Sequence, residues 1–586
     1  MSEAPWRRRF RAARVSLPGW ARQRPDRAVY ASNVSGKWEL YTWDLASDTH
    51  RQVTDRDEGT LRGTIEPSGE WVWWFDDDKG NEFGRWVVQP FGADHTEAVP
   101  LAPDHLAPAY SAGLAIGEGF AVVGRAVDER TTFHLVDDSG DVTLLYEHEE
   151  DAHVGGLSRD GTMLAFTHSE AGDSRHPDLR IVDMSGNALA DLSDGPGMAL
   201  WPMGWSRVPG DQRLLVLHER RDLPRPMVWN AATGEEVELD LDLPGEVDAS
   251  WYPDGSALLL SHDHRGRTEL YRYDLTAHTL ERIPTEPGTI GSALVRPDGE
   301  LWYSWTSASE PPQVRAGDRL LLRPPGEPAP PGAPYDDLDV DGIHGFVARP
   351  EGEGPFPTFF FVHGGPESHD VDAFAPEPQA WVDHGYAVVL VNYRGSTGYG
   401  KAWRDAIEGN PGLTELDDIG RVHEWAVSSG LADPARVVLA GHSWGGYLTL
   451  LGLGRQPERW ALGIAGVPVA DYVAAYEDEM EPLKAFDRAL FGGSPDDIPD
   501  AYVERSPITY AEAVGVPVMI LAGENDPRCP IRQIEHYLAR LGELGKVYET
   551  YRYDAGHGSL VIEERIRQVE AMLDFAARHL GTSPPA

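Results

Sequence analysis

A serine between glycines, an aspartate and a histidine, met in that order along the chain, are the residues of this sequence best suited to covalent chemistry. Gly441-His442-Ser443-Trp444-Gly445-Gly446-Tyr447 follows an apolar strand-like run, Arg436 to Ala440, and precedes a helix-like run, Leu448 to Leu453. A Gly-x-Ser-x-Gly turn between strand and helix holds its serine on a strained backbone, and the glycines leave room beside it. A serine hydroxyl attacks a carbonyl only beside a base, and the base needs an acid to fix its tautomer. Asp526 ends Gly523-Glu524-Asn525-Asp526 after the strand Val516 to Ala522. His557 stands in Asp554-Ala555-Gly556-His557-Gly558 after the strand Val547 to Tyr553. The chemistry these three imply is acyl transfer through an acyl-enzyme, with Ser443 as nucleophile, His557 as base and Asp526 as its orienting acid.

The alternatives for each role are weaker. His442 lies inside the turn and His363 lies upstream of the nucleophile, so neither suits the base, and Asp554 reads as the cap of its own turn. A tetrahedral intermediate needs two hydrogen-bond donors aimed at its oxyanion. The Trp444 amide supplies one, and the Gly365 amide in His363-Gly364-Gly365-Pro366 is expected to supply the other. Tyr393, in Asn392-Tyr393-Arg394-Gly395-Ser396, is an accessory donor candidate.

These loops need a sheet to carry them. From Thr358 to Leu521, apolar runs (Thr358 to Val362, Ala387 to Asn392, Arg436 to Ala440, Pro517 to Leu521) alternate with helical stretches, one starting at Thr414 with Asp417 as capping partner. Buried strands alternating with helices indicate a mostly parallel, doubly wound sheet covered on both faces, the α/β-hydrolase arrangement.

The preceding half has another period. Strands ending in a polar turn recur at Asp44, Pro90, Asp137, Asp183, Asn230, Asp274 and Asp318. A turn marker keeps the same beat: Ser68-Gly69, Gly117-Glu118, Asp160-Gly161, Pro209-Gly210, Asp254-Gly255 and Asp298-Gly299. Multi-stranded repeats of about 40 to 50 residues are the signature of a β-propeller. The expected architecture is an N-terminal seven-bladed β-propeller over 27–322, a proline-rich linker over 323–334 and an α/β-hydrolase over 335–586. Residues 1–26, rich in arginine, are expected to form a basic helical segment docked on the hydrolase. No regular Gly-His to Trp-Asp pairing marks the repeats, which argues against the WD40 subtype.

Composition narrows the function classes. The 586 residues carry a formal net charge of −44, a field that repels phosphate backbones, so nucleic acid is excluded as a broad-surface partner. Neither a signal-peptide core nor an apolar run long enough to cross a membrane is present. The single cysteine, Cys529, cannot form an internal disulfide. A cytoplasmic protein without a membrane partner is the simplest reading, with homo-oligomerisation left open. No cofactor or metal is expected: Asp76-Asp77-Asp78-Lys79-Gly80 lacks the rest of a calcium loop, and no His-Glu-x-x-His occurs.

HGGP (363–366), NYRGSTGYG (392–400), GHSWGGY (441–447), ENDPR (524–528) and DAGHG (554–558) together resemble the prolyl oligopeptidase family of serine peptidases, closest to its acylaminoacyl peptidase branch. The resemblance covers the C-terminal half by motif and the propeller by architecture. It implies hydrolysis of amide bonds near a peptide's N-terminus, with the propeller screening out folded proteins, and an Arg528 near the substrate.

The segment Tyr476-Glu477-Asp478-Glu479-Met480-Glu481 is strongly acidic where the family's substrate pocket is walled, and Leu483 and Phe486 follow as pocket candidates. Glu477, Asp478, Glu479 or Glu481 would pair with a substrate α-ammonium and favour aminopeptidase over blocked-peptide activity; the competing reading is a solvated face. The reaction readings are a serine exopeptidase on short peptides or aminoacyl amides and a small-molecule amidase or esterase removing an aminoacyl group, for example from an antibiotic. The non-enzyme reading is a propeller binding protein with a silent hydrolase domain, against which the complete triad argues.

Overall fold

The computed structural model describes residues 3–582. Residues 19–322 form antiparallel sheets in which consecutive strands are neighbours: five separate four-stranded sheets and one of eight strands. The eight-stranded sheet is continuous because Phe83–Pro90 pairs with Ala109–Ile116 through Phe83 and Gly84. The polar-ended strands of the sequence pattern are the third strand of each four-strand unit, as in Glu39–Asp44, His176–Asp183 and Arg267–Asp274. The turn markers join first strands to second strands, as Asp254-Gly255 joins Glu246–Trp251 to Ala257–His264. Each sheet buries its faces against the next. Leu164 and Phe166 pack with Phe133 of the preceding unit, and Leu214 and Val216 pack with Leu179 and Ile181. The first and last sheets also share a cluster, in which Trp43 stacks on Trp302 at 5.9 Å.

Residues 336–553 build one eight-stranded sheet, in the order Asp336–Val340, Ile343–Ala348, Ala387–Val391, Phe356–Val362, Ala432–His442, Leu462–Gly466, Val518–Gly523, Tyr548–Tyr553. Ile343–Ala348 runs antiparallel to both of its neighbours, Asp336–Val340 and Ala387–Val391, and the remaining pairs are parallel. Because side chains alternate across a strand, a sheet covered on both faces needs apolar residues at every position. Val437 and Leu439 enter one core, and Val438 and Ala440 enter the other. Ile520 and Met519 divide in the same way.

The N-terminal helix Pro5–Arg11 lies on the second of these cores. Trp6 and Phe10 are buried there, each contributing about 1.5–3 kcal/mol. Arg9 donates to Asp383 at 2.6 Å, and Arg11 forks onto Glu563. The proline-rich joint is tied to the same domain, since Gln379 accepts from the Ala333 amide and donates to its carbonyl. Among the described residues no helix is long and apolar enough to cross a membrane.

Candidate active site

The strand Ala432–His442 delivers Ser443 into a turn that the helix Trp444–Arg455 leaves at once. Ser443 has φ +57° and ψ −121°, a strained backbone for a residue with a side chain. Its amide donates to the Gly466 carbonyl at 2.8 Å, which anchors the turn on the neighbouring strand. The glycines are required by space: a Cβ on Gly445 would approach the Val362 carbonyl oxygen to 2.0 Å, and one on Gly446 would approach that of Gly466 to 2.5 Å.

Asp526 and His557 leave the ends of the next two strands, and His557 Nδ1 donates to Asp526 Oδ2 at 2.8 Å. Asp526 Oδ1 accepts the amides of Arg528 (2.9 Å) and Cys529 (3.0 Å), so the carboxylate is held rigidly. That pairing leaves His557 Nε2 as the free ring nitrogen. Ser443 and His557 line one cavity of about 670 Å³ with Gly364, His442 and Gly466. No direct hydrogen bond joins Ser443 to His557 among the described residues; such contacts commonly tighten only when substrate is bound.

Several placements differ from the sequence reading. Gly364 lies against the turn: a Cβ there would stand 3.3 Å from Ser443 Cβ and 3.8 Å from the Trp444 nitrogen, and the Gly365 amide belongs to the next peptide bond of that loop. Gly365 has φ +126°, and a Cβ there would meet the Glu367 nitrogen at 2.8 Å. Tyr393 is fully buried, is not among the cavity-lining residues and donates to the His363 carbonyl at 2.9 Å while stacking on the His363 ring. It supports the HGGP loop and does not reach the cavity. The helix expected from Thr414 starts at Leu413, and its end is capped by Glu415, which accepts the Gly412 amide, not by Asp417. Asp554 does not merely cap its turn; it pairs with Lys79 of the propeller and accepts from Asn525.

The proposed pocket residues separate. Glu477 and Asp478 share Arg532 on the surface, and Glu481 accepts from Lys484. Glu479 alone of the four carboxylates is buried. Leu483 is half-buried, and Phe486 lies under the Arg175 guanidinium, 5.9 Å from it. Arg528 lines the cavity and forks onto Glu82 of the propeller at 2.6 and 3.0 Å.

Sequence motifs did not point to four contributors. Glu415 accepts from the Trp444 indole at 3.2 Å, and burial pushes its carboxyl up to about 8. Glu377 accepts from His442 at 2.9 Å; burial opposes charging that imidazole, but the carboxylate outweighs it and raises its pKa. Asp487 lies buried near Glu479. Arg175, at the tip of the hairpin formed by Met163–Asp173 and His176–Asp183, has a fully buried side chain that reaches Glu367, Asp405 and Glu408 of the hydrolase. Except for Asp487 and Glu479, eight residues apart, these are contacts between distant segments, which leave no local pattern. His176, Asp405 and Glu408 also converge, but Lys401, Arg404 and Arg175 already neutralise those carboxylates, so the cluster reads as an ion-pair network and not a metal site.

Comparison with known proteins follows the same outline. Residues 372–583 match the profile of the prolyl oligopeptidase family. They form a prolyl oligopeptidase family domain. The acylamino-acid-releasing enzyme of Mus musculus is 32% identical over 373 residues, 61% of this chain and 47% of its own. Dipeptidyl aminopeptidase BIII of Pseudoxanthomonas mexicana is 30% identical over 424 residues, 69% of this chain and 56% of its own. The chain thus spans about half the length of these relatives. A solved puromycin hydrolase superposes with a TM-score of 0.81 at 19% identity, covering 100% of this chain and 97% of that one. An acylaminoacyl peptidase of Pyrococcus horikoshii gives 0.73 at 19%, with 100% and 99% coverage. At such identities the likeness is one of fold: a propeller followed by an α/β-hydrolase.

Proposed function

We propose that this chain is a serine peptidase that hydrolyses amide bonds near the N-terminus of short peptides or aminoacyl amides. The observation that carries the reading is the His557–Asp526 hydrogen bond facing the same cavity as the strained Ser443. Ser443 Oγ attacks the substrate carbonyl carbon as its proton passes to His557 Nε2, and Asp526 stabilises the imidazolium that forms. The Trp444 and Gly365 amides donate to the oxyanion. His557 then protonates the leaving amine, and water, activated by the same base, hydrolyses the acyl-enzyme.

We read the eight-stranded sheet as two blades, which makes the propeller seven-bladed, and we divide the chain into propeller (27–322), linker (323–334) and hydrolase (335–586). Within 1–26 the helix Pro5–Arg11 docks on the hydrolase, whereas the strand Gly19–Trp20 joins the first propeller sheet and corrects the expectation of a wholly helical segment. Propeller residues Arg62, Phe75 and Gly80 line the Ser443 cavity, so the substrate is enclosed between domains and long or folded chains are excluded. The lone, buried Cys529 fits a reducing, cytoplasmic setting. Relatives named acylamino-acid-releasing enzyme and dipeptidyl aminopeptidase support action at a peptide's amino end. The test is a panel of chromogenic amides with free aminoacyl, N-acetylaminoacyl and internal-peptide donors, run beside casein. Turnover of the first two with casein spared supports the reading, whereas rapid casein digestion overturns it. Turnover confined to non-peptide aminoacyl amides would mark a small-molecule amidase.

A further inference from the structure

Most charged side chains that line the Ser443 cavity stand in pairs of opposite sign. Arg56 pairs with Glu58 and, at 3.1 Å, with Asp77; Lys79 pairs with Asp554 and Arg528 with Glu82, both at 2.6 Å. Glu377 is taken by His442 at 2.9 Å. Arg62 and Arg565 line the same cavity, and among the described residues neither has a carboxylate within ion-pair distance. Arg62 is exposed and lies over the Phe75 ring at 5.4 Å; Arg565 is half-buried and lies over the Phe10 ring at 5.8 Å. Contacts of this kind hold a guanidinium weakly and leave its N–H fork to solvent or a ligand. In a chain where 95 acidic residues face 51 Lys and Arg, two guanidiniums without a counterion in one cleft make that cleft positive against the field of the whole molecule.

The two arginines stand beside the segment that follows the catalytic histidine. From His557 the chain runs through Gly558, Ser559 and Leu560, all lining the cavity, into the helix Ile562–Leu580 that carries Arg565. The propeller lies against that segment: the Trp38 amide donates to the Leu560 carbonyl at 3.1 Å, and a Cβ on Gly59, three residues before Arg62, would stand 3.0 Å from Leu560 Cβ. Arg14, stacked on Trp38 at 5.4 Å with Nε and Nη2 meeting no acceptor, adds a further positive charge near Arg565. Burial, and then the charge of Arg565, lowers Arg14 to about 10. His557 hands its proton to the departing amine, so the half of the substrate released first lies on the His557 side of the cavity, where these guanidiniums are.

Resting on the serine-peptidase reading above, we propose that Arg62 and Arg565 together receive a carboxylate on the leaving-group side of the scissile bond, so that the enzyme favours short peptides whose released amine half is negatively charged. The anion supplies the acceptor that both forks lack, and charge-assisted hydrogen bonds of this kind correspond to about ten- to hundredfold in selectivity. The carboxylate is either the C-terminus of a di- or tripeptide or an acidic side chain next to the scissile bond. Because one arginine belongs to the propeller and the other to the hydrolase, the receptor is complete only where the two domains meet.

The test measures kcat/KM, from the products released, for dialanine and trialanine against their C-terminal amides, and for alanyl-aspartyl amide against alanyl-asparaginyl amide, each with a free and an N-acetylated amino end. The wild type should favour the charged member of at least one pair about ten- to hundredfold. A preference in the first two pairs identifies the C-terminal carboxylate, and one in the third identifies an acidic side chain. Arg62→Gln and Arg565→Gln should each cut that ratio about tenfold, and Arg62→Lys and Arg565→Lys should keep part of it. A merely structural disturbance slows both members of a pair and leaves their ratio unchanged. Since Arg62 is exposed, its variants decide the matter if Arg565→Gln fails to fold. Equal rates within every pair, or a preference that survives both substitutions, overturns the proposal. Fluorophosphonate labelling of the same samples separates the two failures: labelled wild type without a charge preference, or without turnover of any of these peptides, refutes only the carboxylate receptor, while unlabelled, inactive wild type refutes the peptidase reading.

Discussion

Gly556, the residue before His557, lies so close to Gly80 of the propeller that a Cβ at 556 would come within 1.8 Å of the Gly80 carbonyl oxygen. The contact is flanked by two ion pairs between the domains, Lys79 with Asp554 at 2.6 Å and Glu82 with Arg528 at 2.6 Å. The propeller turn 78–82 therefore seats the loops that carry His557 and Asp526. The exposed ion pairs contribute little stability by themselves, so the close backbone approach is what sets the fit.

Gly556→Ala should displace either that turn or the catalytic loop, because the obstructing atom is backbone. We expect kcat/KM to fall about tenfold or more, equivalent to about 1.4 kcal/mol of barrier, with the folded state retained by circular dichroism. Wild-type kinetics in this variant would show that the loop does not depend on the propeller contact.

Arg175→Met removes the buried cation that Glu367, Asp405 and Glu408 share. Breaking a buried ion pair from one side typically costs about 3–5 kcal/mol, and about 2–4 kcal/mol is expected here because Glu367 and Glu408 are partly exposed. Arg175→Lys keeps the charge without the fork and should lie between. Thermal or urea unfolding checks the order, and equal midpoints for all three proteins would contradict it.

The same interface should respond to pH through His176. Burial opposes its protonation, but hydrogen bonds and charges from Asp173 and Asp405 outweigh it and raise the imidazole to about 9. Arg404 and Glu408 also face this group, and Arg175 and Lys401 hold its partner Asp405. A histidine raised above its unfolded value of 6.5 contributes stability fully below that pH and loses it as pH rises through about 9. About 2 kcal/mol should therefore disappear between pH 6.5 and 9, and His176→Gln should flatten that part of the curve. An identical pH profile in the variant would exclude the coupling.

How much of this was legible beforehand follows from range. The turn around Ser443 obeys a five-residue rule of sterics, and alternation of apolar runs with helices marks the parallel sheet, so both can be read locally. The propeller repeat was visible because its polar turns recur at one strand position in each unit. Arg175 and Glu415 act through partners tens to hundreds of residues away, and nothing beside them in the chain announces it. The acidic stretch at 477–481 shows the limit from the other side. Composition flagged four carboxylates, and only the fold separates buried Glu479 from three paired ones.

The central claim is that Ser443, with His557 as base, is the nucleophile of an acyl-enzyme mechanism. The most direct measurement is to label the protein with a fluorophosphonate, locate the adduct by peptide mass spectrometry, and assay Ser443→Ala on the best aminoacyl amide. The account predicts a single adduct on Ser443, none on the variant, and a loss of several orders of magnitude in turnover with unfolding unchanged. An adduct on another residue, or substantial turnover by folded Ser443→Ala, would contradict it.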